Sequence, residues 1–131
     1  MNALANLKQP FEIIDLIHAG LPFSEFEGLR QKLGISAENL AEAARINTRT
    51  LHRRKKEGGF TPEESDRLYR LIVLYERSVD AFRSADAAKD WLTRPGRVFG
   101  GRNPLQYADT EVGYLELLQL IEGIKYGGNF G

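Results

Sequence analysis

The 131-residue chain predicts an all-α protein, a helix-turn-helix bundle followed by a smaller helical region. Three observations lead there. Apolar residues recur at three- and four-residue intervals, and no stretch of useful length alternates with period two. Two short helical segments, Ser36–Arg45 and Asn47–Gly58, flank a tight Ile46-Asn47 turn, and the second segment is basic; this is the sequence form of a helix-turn-helix DNA reader. After Leu92 a loop rich in Gly, Pro and Arg precedes one last apolar helix.

Each element has its own signals. Residues 11–22 carry Phe11, Ile13, Ile14, Leu16 and Ile17 and close on Gly20, which suits a short helix with a glycine C-cap, although the β-branched residues also permit a strand. Ser24 is expected to cap a helix to Leu33, with Glu27 completing a capping box and Phe23, Phe26, Leu29 and Leu33 facing inward. Ser36 starts the next helix, whose inner face is Leu40, Ala41 and Ala44; the small alanines permit close crossing. In the basic helix Leu51 is the single large apolar residue and must point inward, and Gly58-Gly59 ends the segment. Thr61, Pro62 and Glu64 form a strong start signal at N-cap, N1 and N3. The helix they open runs to about Asp80 or Phe82 with Leu68, Leu71, Ile72, Tyr75 and Val79 as its core stripe.

Ser84–Leu92 reads as a short helix containing Trp91, a core anchor by residue type. Residues 93–105 read as loop. Asp109 or Thr110 caps the last helix, Glu111 to about Lys125, on which Val112, Leu115, Leu118, Ile121 and Ile124 form an apolar row. Tyr126-Gly127-Gly128-Asn129-Phe130-Gly131 reads as a flexible tail.

Composition narrows the function. The chain has no cysteine, so neither a disulfide framework nor a thiolate metal site is expected, and its two histidines, His18 and His52, do not make a metal cluster. No apolar run approaches the roughly 18 residues of a membrane span, and the N-terminus lacks the pattern of a signal peptide. A cytoplasmic, cofactor-free protein is expected. No nucleophile–base spacing or phosphate-binding glycine motif points to an enzyme. Eighteen Lys and Arg balance eighteen Asp and Glu, which argues against general nucleic-acid affinity carried by the whole surface. The basic charge is instead local: Arg45, Arg49, Arg53, Arg54, Lys55 and Lys56 follow one another without an acidic residue between them.

With Leu51 inward, Arg49, Arg53 and Lys56 fall on the opposite side of the wheel, and Thr48, Thr50 and His52 lie toward the N-terminal end, where recognition helices meet base edges. Arg49, Arg53 or His52 suits guanine N7 and O6; Arg54, Lys55 and Lys56 suit phosphates. The plainer reading of such a run is a solvated basic face. The alanine-rich helix and turn before it favour DNA binding. Helix-turn-helix proteins read two half-sites, so a homodimer is expected, through apolar surface on Phe11–Leu21 or on the Leu68–Phe82 helix.

The later residues run Trp91-Leu92, Gly100-Gly101, Pro104-Leu105, Asp109-Thr110-Glu111, Gly113 and Tyr126-Gly127. Together with Arg49-Thr50-Leu51, Arg53-Arg54, Glu57-Gly58 and Glu63-Glu64-Ser65-Asp66-Arg67-Leu68, this order resembles the Xre/MbcA/ParS-type antitoxins from about Leu21 to Gly127. The resemblance implies an arm or helix at 1–22, an Xre-like helix-turn-helix domain at 23–82 and a toxin-binding domain with a flexible tail at 83–131. It also implies the partner, a RES-domain toxin that degrades NAD+ and has an ADP-ribosyltransferase-like fold, and repression of the chain's own operon by binding operator DNA. On that reading Arg94, Arg97 and Arg102 pair with acidic groups at the rim of the toxin's cleft. The tail through Tyr126, Gly127, Gly128, Asn129 and Phe130 enters it. The alternative is a stand-alone helix-turn-helix repressor whose C-terminal half only dimerises.

Overall fold

A computed structural model describes Leu4, Leu7 and residues 9–127 of the chain. Its helices are α1 (Pro10–Ala19), α2 (Phe23–Leu33), α3 (Ala37–Ala43), α4 (Thr48–Glu57), α5 (Pro62–Phe82), α6 (Ala85–Thr93), α7 (Pro104–Tyr107) and α8 (Glu111–Lys125), with a 3-10 turn at Arg97–Phe99. Among the described residues there is no strand, only one isolated bridge between Pro22 and Gly59. The chain divides into two compact units, Met1–Tyr69 and Arg70–Gly131, with the division inside α5. The sequence places a domain boundary at the end of that helix instead. The first turns of α5 belong with the first unit because Glu64, Ser65 and Arg67 are bonded to Arg54, to the Leu21 amide and to the Ala44 carbonyl.

In the first unit the core is Leu21, Phe26, Leu29, Leu33, Leu40, Ala44, Ile46, Leu51 and Phe60. Phe23, Phe26 and Phe60 stack on one another with ring centroids 5.4–5.8 Å apart. Two extended pieces of backbone strap this cluster. The Phe60 amide donates to the Leu21 carbonyl (3.0 Å) and the Phe23 amide to the Gly58 carbonyl (2.9 Å). That second bond changes the start of α2. The expected Ser24–Glu27 capping box does not form; α2 begins at Phe23 after Pro22, main chain satisfies the Phe23 amide, and Glu27 pairs with Arg30. Phe23 is drawn into the helix because its ring is needed in the aromatic cluster. Helix α1 ends on Gly20 as its spacing predicts, yet none of its residues is buried, and Phe11 and Ile14 are exposed.

Caps elsewhere follow the sequence. The side chains of Ser36, Asn47, Ser84 and Thr110 accept the amides of Asn39, Thr50, Ala87 and Gly113, and Gly34 and Gly58 are left-handed C-caps. Thr61 and Glu64 exchange the two bonds of a capping box.

In the second unit an aromatic row runs from Phe82 through Trp91 and Phe99 to Tyr107, with neighbouring centroids 5.7, 6.2 and 5.1 Å apart. The segment read as loop has structure of its own. Pro104–Tyr107 is a short helix with an Asn103/Gln106 capping box, and Arg97–Phe99 is a 3-10 turn. A two-residue apolar signal, Leu105 and Tyr107, is too short to show a helical period. On α8 only Ile121 of the predicted apolar row is buried. Gly113, Leu117 and Ile121 are buried, whereas Val112 and Leu115 are 79% and 52% exposed. Steps of three residues turn back by about 60° each around a helix at 100° per residue, while steps of four advance by about 40°; only the second row stays against a neighbouring surface.

Gly113 makes that packing possible. A Cβ there would overlap the Tyr107 carbonyl oxygen, which is rigid backbone. We expect Gly113→Ala to lower unfolding free energy by about 1–3 kcal/mol through overpacking. Gly28→Ala, where a Cβ meets nothing within 4 Å in the middle of α2, should instead raise it by about 0.5–1 kcal/mol. Urea titration of the two variants checks both signs.

Candidate functional site

The first candidate surface is built on α3, α4 and the turn between them. The turn is short because Ala44 and Ile46 are buried and the Ile46 amide reaches back to the Ala41 carbonyl at 2.8 Å. It requires a left-handed residue, and that residue is Arg45 (φ 59°) and not a glycine. A non-glycine residue held in this region is strained by about 1 kcal/mol or more. Arg67 of α5 holds the turn in place, its guanidinium donating to the Ala44 carbonyl at 2.8 Å and to the Arg45 carbonyl at 3.4 Å. Nothing local in the sequence marks it, because its acceptors are backbone atoms 22 and 23 residues away.

Leu51 is the one buried residue of α4. Thr48, Arg49, His52, Arg53, Lys55 and Lys56 are exposed and Thr50 is half-buried, so the structure gathers these predicted residues on one solvent-facing helix. Arg54 departs from its expected role at phosphate. Its side chain is only 13% exposed, and its Nε and Nη2 donate to the two oxygens of Glu64 at 2.7 and 3.0 Å, while Nη1 reaches Glu57 at 3.1 Å. The wheel contains the reason: three residues after Leu51, Arg54 lies about 60° from the buried direction, within reach of α5. The hydrogen bond to Glu64 raises the guanidinium pKa further. Burial works against the Glu64 carboxylate, but bonds from Arg54 and Thr61 outweigh it and hold the group below the usual carboxylate range.

The second candidate surface lies in residues 91–127. Gly96 to Arg102 form a closed loop. The Gly96 amide donates to the Arg102 carbonyl, and the amides of Phe99 and Gly101 both donate to the Gly96 carbonyl, all at 3.0–3.1 Å. Gly100 and Gly101 supply the positive φ that this tight path requires. Phe99 is buried beneath the loop, while Val98 at its tip is 81% exposed, with Arg97 and Arg102 exposed on either side. Arg94, also exposed, pairs with Asp90 at 2.6 Å. Beside the loop an open groove of about 360 Å³ is lined by Trp91, Val98, Phe99, Tyr107, Leu120 and Ile124, with Glu116 at one point. The Tyr107 hydroxyl donates to the Glu116 carboxylate, and that bond raises the phenol pKa. Trp91 is therefore half core anchor, half groove wall. Tyr126 is 74% exposed and Gly127 has positive φ; Gly128, Asn129 and Phe130 lie outside the described residues.

An exposed basic helix after a tight turn in one unit, with a separate helical unit beyond it, defines a helix-turn-helix protein with a second helical unit. Comparison with known proteins agrees. Residues 12–73 match the antitoxin Xre-like helix-turn-helix domain, and residues 78–127 match the antitoxin Xre/MbcA/ParS C-terminal toxin-binding domain. The chain is 31% identical over 118 residues to the antitoxin Xre of Yersinia enterocolitica, covering 88% of this chain and 79% of that one. It is 33% identical over 129 residues to the antitoxin Xre of Photorhabdus laumondii, covering 97% and 79%. Over 83 residues it is 36% identical to the antitoxin Xre of Pseudomonas putida, covering 60% and 52%. The chain belongs to the Xre family of antitoxins, which is not a family of enzymes.

The Glu64 carboxylate has a measurable signature. Because its pKa is lower in the folded than in the unfolded chain, the stability it contributes is complete above the unfolded value. That contribution is lost as pH falls through the folded one. Urea unfolding should show stability declining below about pH 4.3, the ordinary value for Glu. Glu64→Gln should lose about 1–3 kcal/mol at pH 7, by leaving Arg54 without its counter-charge, and should flatten that decline.

Proposed function

We propose that this antitoxin neutralises a RES-domain, NAD-degrading toxin by binding at its active site, and that it binds operator DNA to repress its own operon in the cytoplasm. The observation that carries the reading is the presence, in one chain of the Xre family, of an exposed basic α4 and a separate toxin-binding unit. In the DNA half, Arg49, Arg53 and His52 meet base edges and Lys55 and Lys56 meet phosphates, with Thr48 and Thr50 at the N-terminal end of the helix. Arg54 acts differently, by setting the attitude of α4 through Glu64. In the toxin half, Arg94, Arg97 and Arg102 face acidic groups at the toxin's cleft, and the segment from Tyr126 through Gly127, Gly128, Asn129 and Phe130 enters it. The protein works as a homodimer, so that two α4 helices reach half-sites about 34 Å apart. Of the two surfaces considered for that dimer, α1 is the better supported. Leu68, Leu71, Ile72 and Leu74 of α5 are consumed in the core, whereas Phe11 and Ile14 remain exposed.

Arg49→Ala and Arg53→Ala should each weaken operator binding about 5- to 150-fold, the equivalent of one bidentate base contact. Lys55→Ala should weaken all sequences alike and reduce the salt slope by about 1. Gel-shift titrations at several salt concentrations separate the two effects; unchanged affinity and slope would remove α4 from the interface. For the toxin half, removing residues 126–131 should abolish protection of cells that express the toxin while the helical circular dichroism is kept. Full protection by the shortened chain would rule out insertion of the tail.

A further inference from the structure

We infer that the groove between α6, the Gly96–Arg102 loop and α8 is the seat for an apolar side chain of the toxin, flanked on the toxin by acidic residues. This deepens the toxin-binding reading and rests on it. Every wall of the groove falls within residues 78–127, the stretch matching the toxin-binding domain. Its surface is aromatic and aliphatic (Trp91, Val98, Phe99, Tyr107, Leu120, Ile124), and the carboxylate of Glu116 is already taken by the Tyr107 hydroxyl. Such a surface gains from desolvating an apolar group and offers nothing to hold a charged one. The rim differs in kind. Val98, where the wall meets the rim, stands 81% exposed at the loop tip with the exposed Arg97 next to it, and the exposed Arg102 closes the same loop, its carbonyl accepting the Gly96 amide. Cationic groups around an apolar seat match an apolar anchor set among acidic residues.

The same rim argues against a second copy of this chain as the occupant. In a two-fold contact centred here, Arg97 and Arg102 of one copy would approach those of the other, and like charges brought together across an interface are unfavourable. The toxin carries no such constraint.

Trp91 is the only tryptophan of the chain and a wall of the groove, so its emission reports on the seat directly. The probe is the RES-domain toxin of the same operon, inactivated at its active site and with its own tryptophans replaced by phenylalanine, added to the full-length antitoxin. Binding is followed in parallel by calorimetry. On binding, Trp91 emission should shift to the blue and its quenching by acrylamide should fall. Val98→Asp, at an exposed position, should keep the thermal midpoint and operator affinity but weaken toxin binding at least tenfold. Toxin binding with unchanged Trp91 emission and quenching, or with Val98→Asp as tight as the parent, overturns the groove assignment and leaves the antitoxin reading standing. A blue-shifted Trp91 in the free protein that moves to the red when residues 126–131 are removed also overturns it, because the chain's own tail is then the occupant. No heat of binding from the parent protein would instead fail the choice of a RES-domain partner itself.

Discussion

The Arg54–Glu64 ion pair fixes what the first unit can present to a ligand. One carboxylate completes the capping box of α5 by accepting the Thr61 amide and also receives two donors from a guanidinium on α4. The N-terminal turn of α5 and the last turns of α4 are thereby joined through a single side chain. Taking both charges largely out of water opposes the arrangement. Fork geometry, the second partner Glu57 and the N-terminal end of α5 offset that cost. With Arg54 committed inward, the cations left for a ligand are those on the far side of α4. Arg67 adds the second restraint, holding the turn that α4 leaves by the two carbonyls nearest its strained residue.

In the second unit the corresponding constraint is steric. The Tyr107 backbone lies where any side chain at position 113 would be, and the Thr110 hydroxyl accepts the Gly113 amide at the same place. Helix α8 thus meets α7 at Gly113 and buries Leu117 and Ile121 on the same side, and at its other end Lys125 pairs with Asp80 of α5 at 2.7 Å. This seating turns Val112 and Leu115 to solvent, so apolar residues that look like core are left available at the surface.

Much of the fold was legible because it is locally encoded. Ser36, Asn47, Ser84 and Thr110 cap helices within three residues of themselves, and Gly34 and Gly58 end them through backbone freedom; such signals need no knowledge of what packs where. The misses arise where a partner outside the local pattern decides the outcome. Ser24 lost its cap because Gly58, 34 positions later, supplied the bond to Phe23. The α8 row failed because the neighbour that selects a face is Tyr107, and its demand is for a glycine. Within the candidate site the exposed basic residues were read correctly as exposed, since nothing apolar competes with them. Arg54 pairs with Glu64 instead of facing solvent, as its position on the wheel beside Leu51 allows. The groove left no sequence trace, since its walls come from four separate segments.

The closed Gly96–Arg102 loop has a consequence for the entropy of any docking on it. Its main-chain bonds are made within the loop and Phe99 nails it from below, so Val98 and its arginine neighbours are displayed on a scaffold already ordered. An unstructured tip would surrender backbone entropy of about 1–2 kcal/mol per residue at the moment of docking. Here that loss was taken when the chain folded. Any molecule docking on this loop would find its backbone path already set.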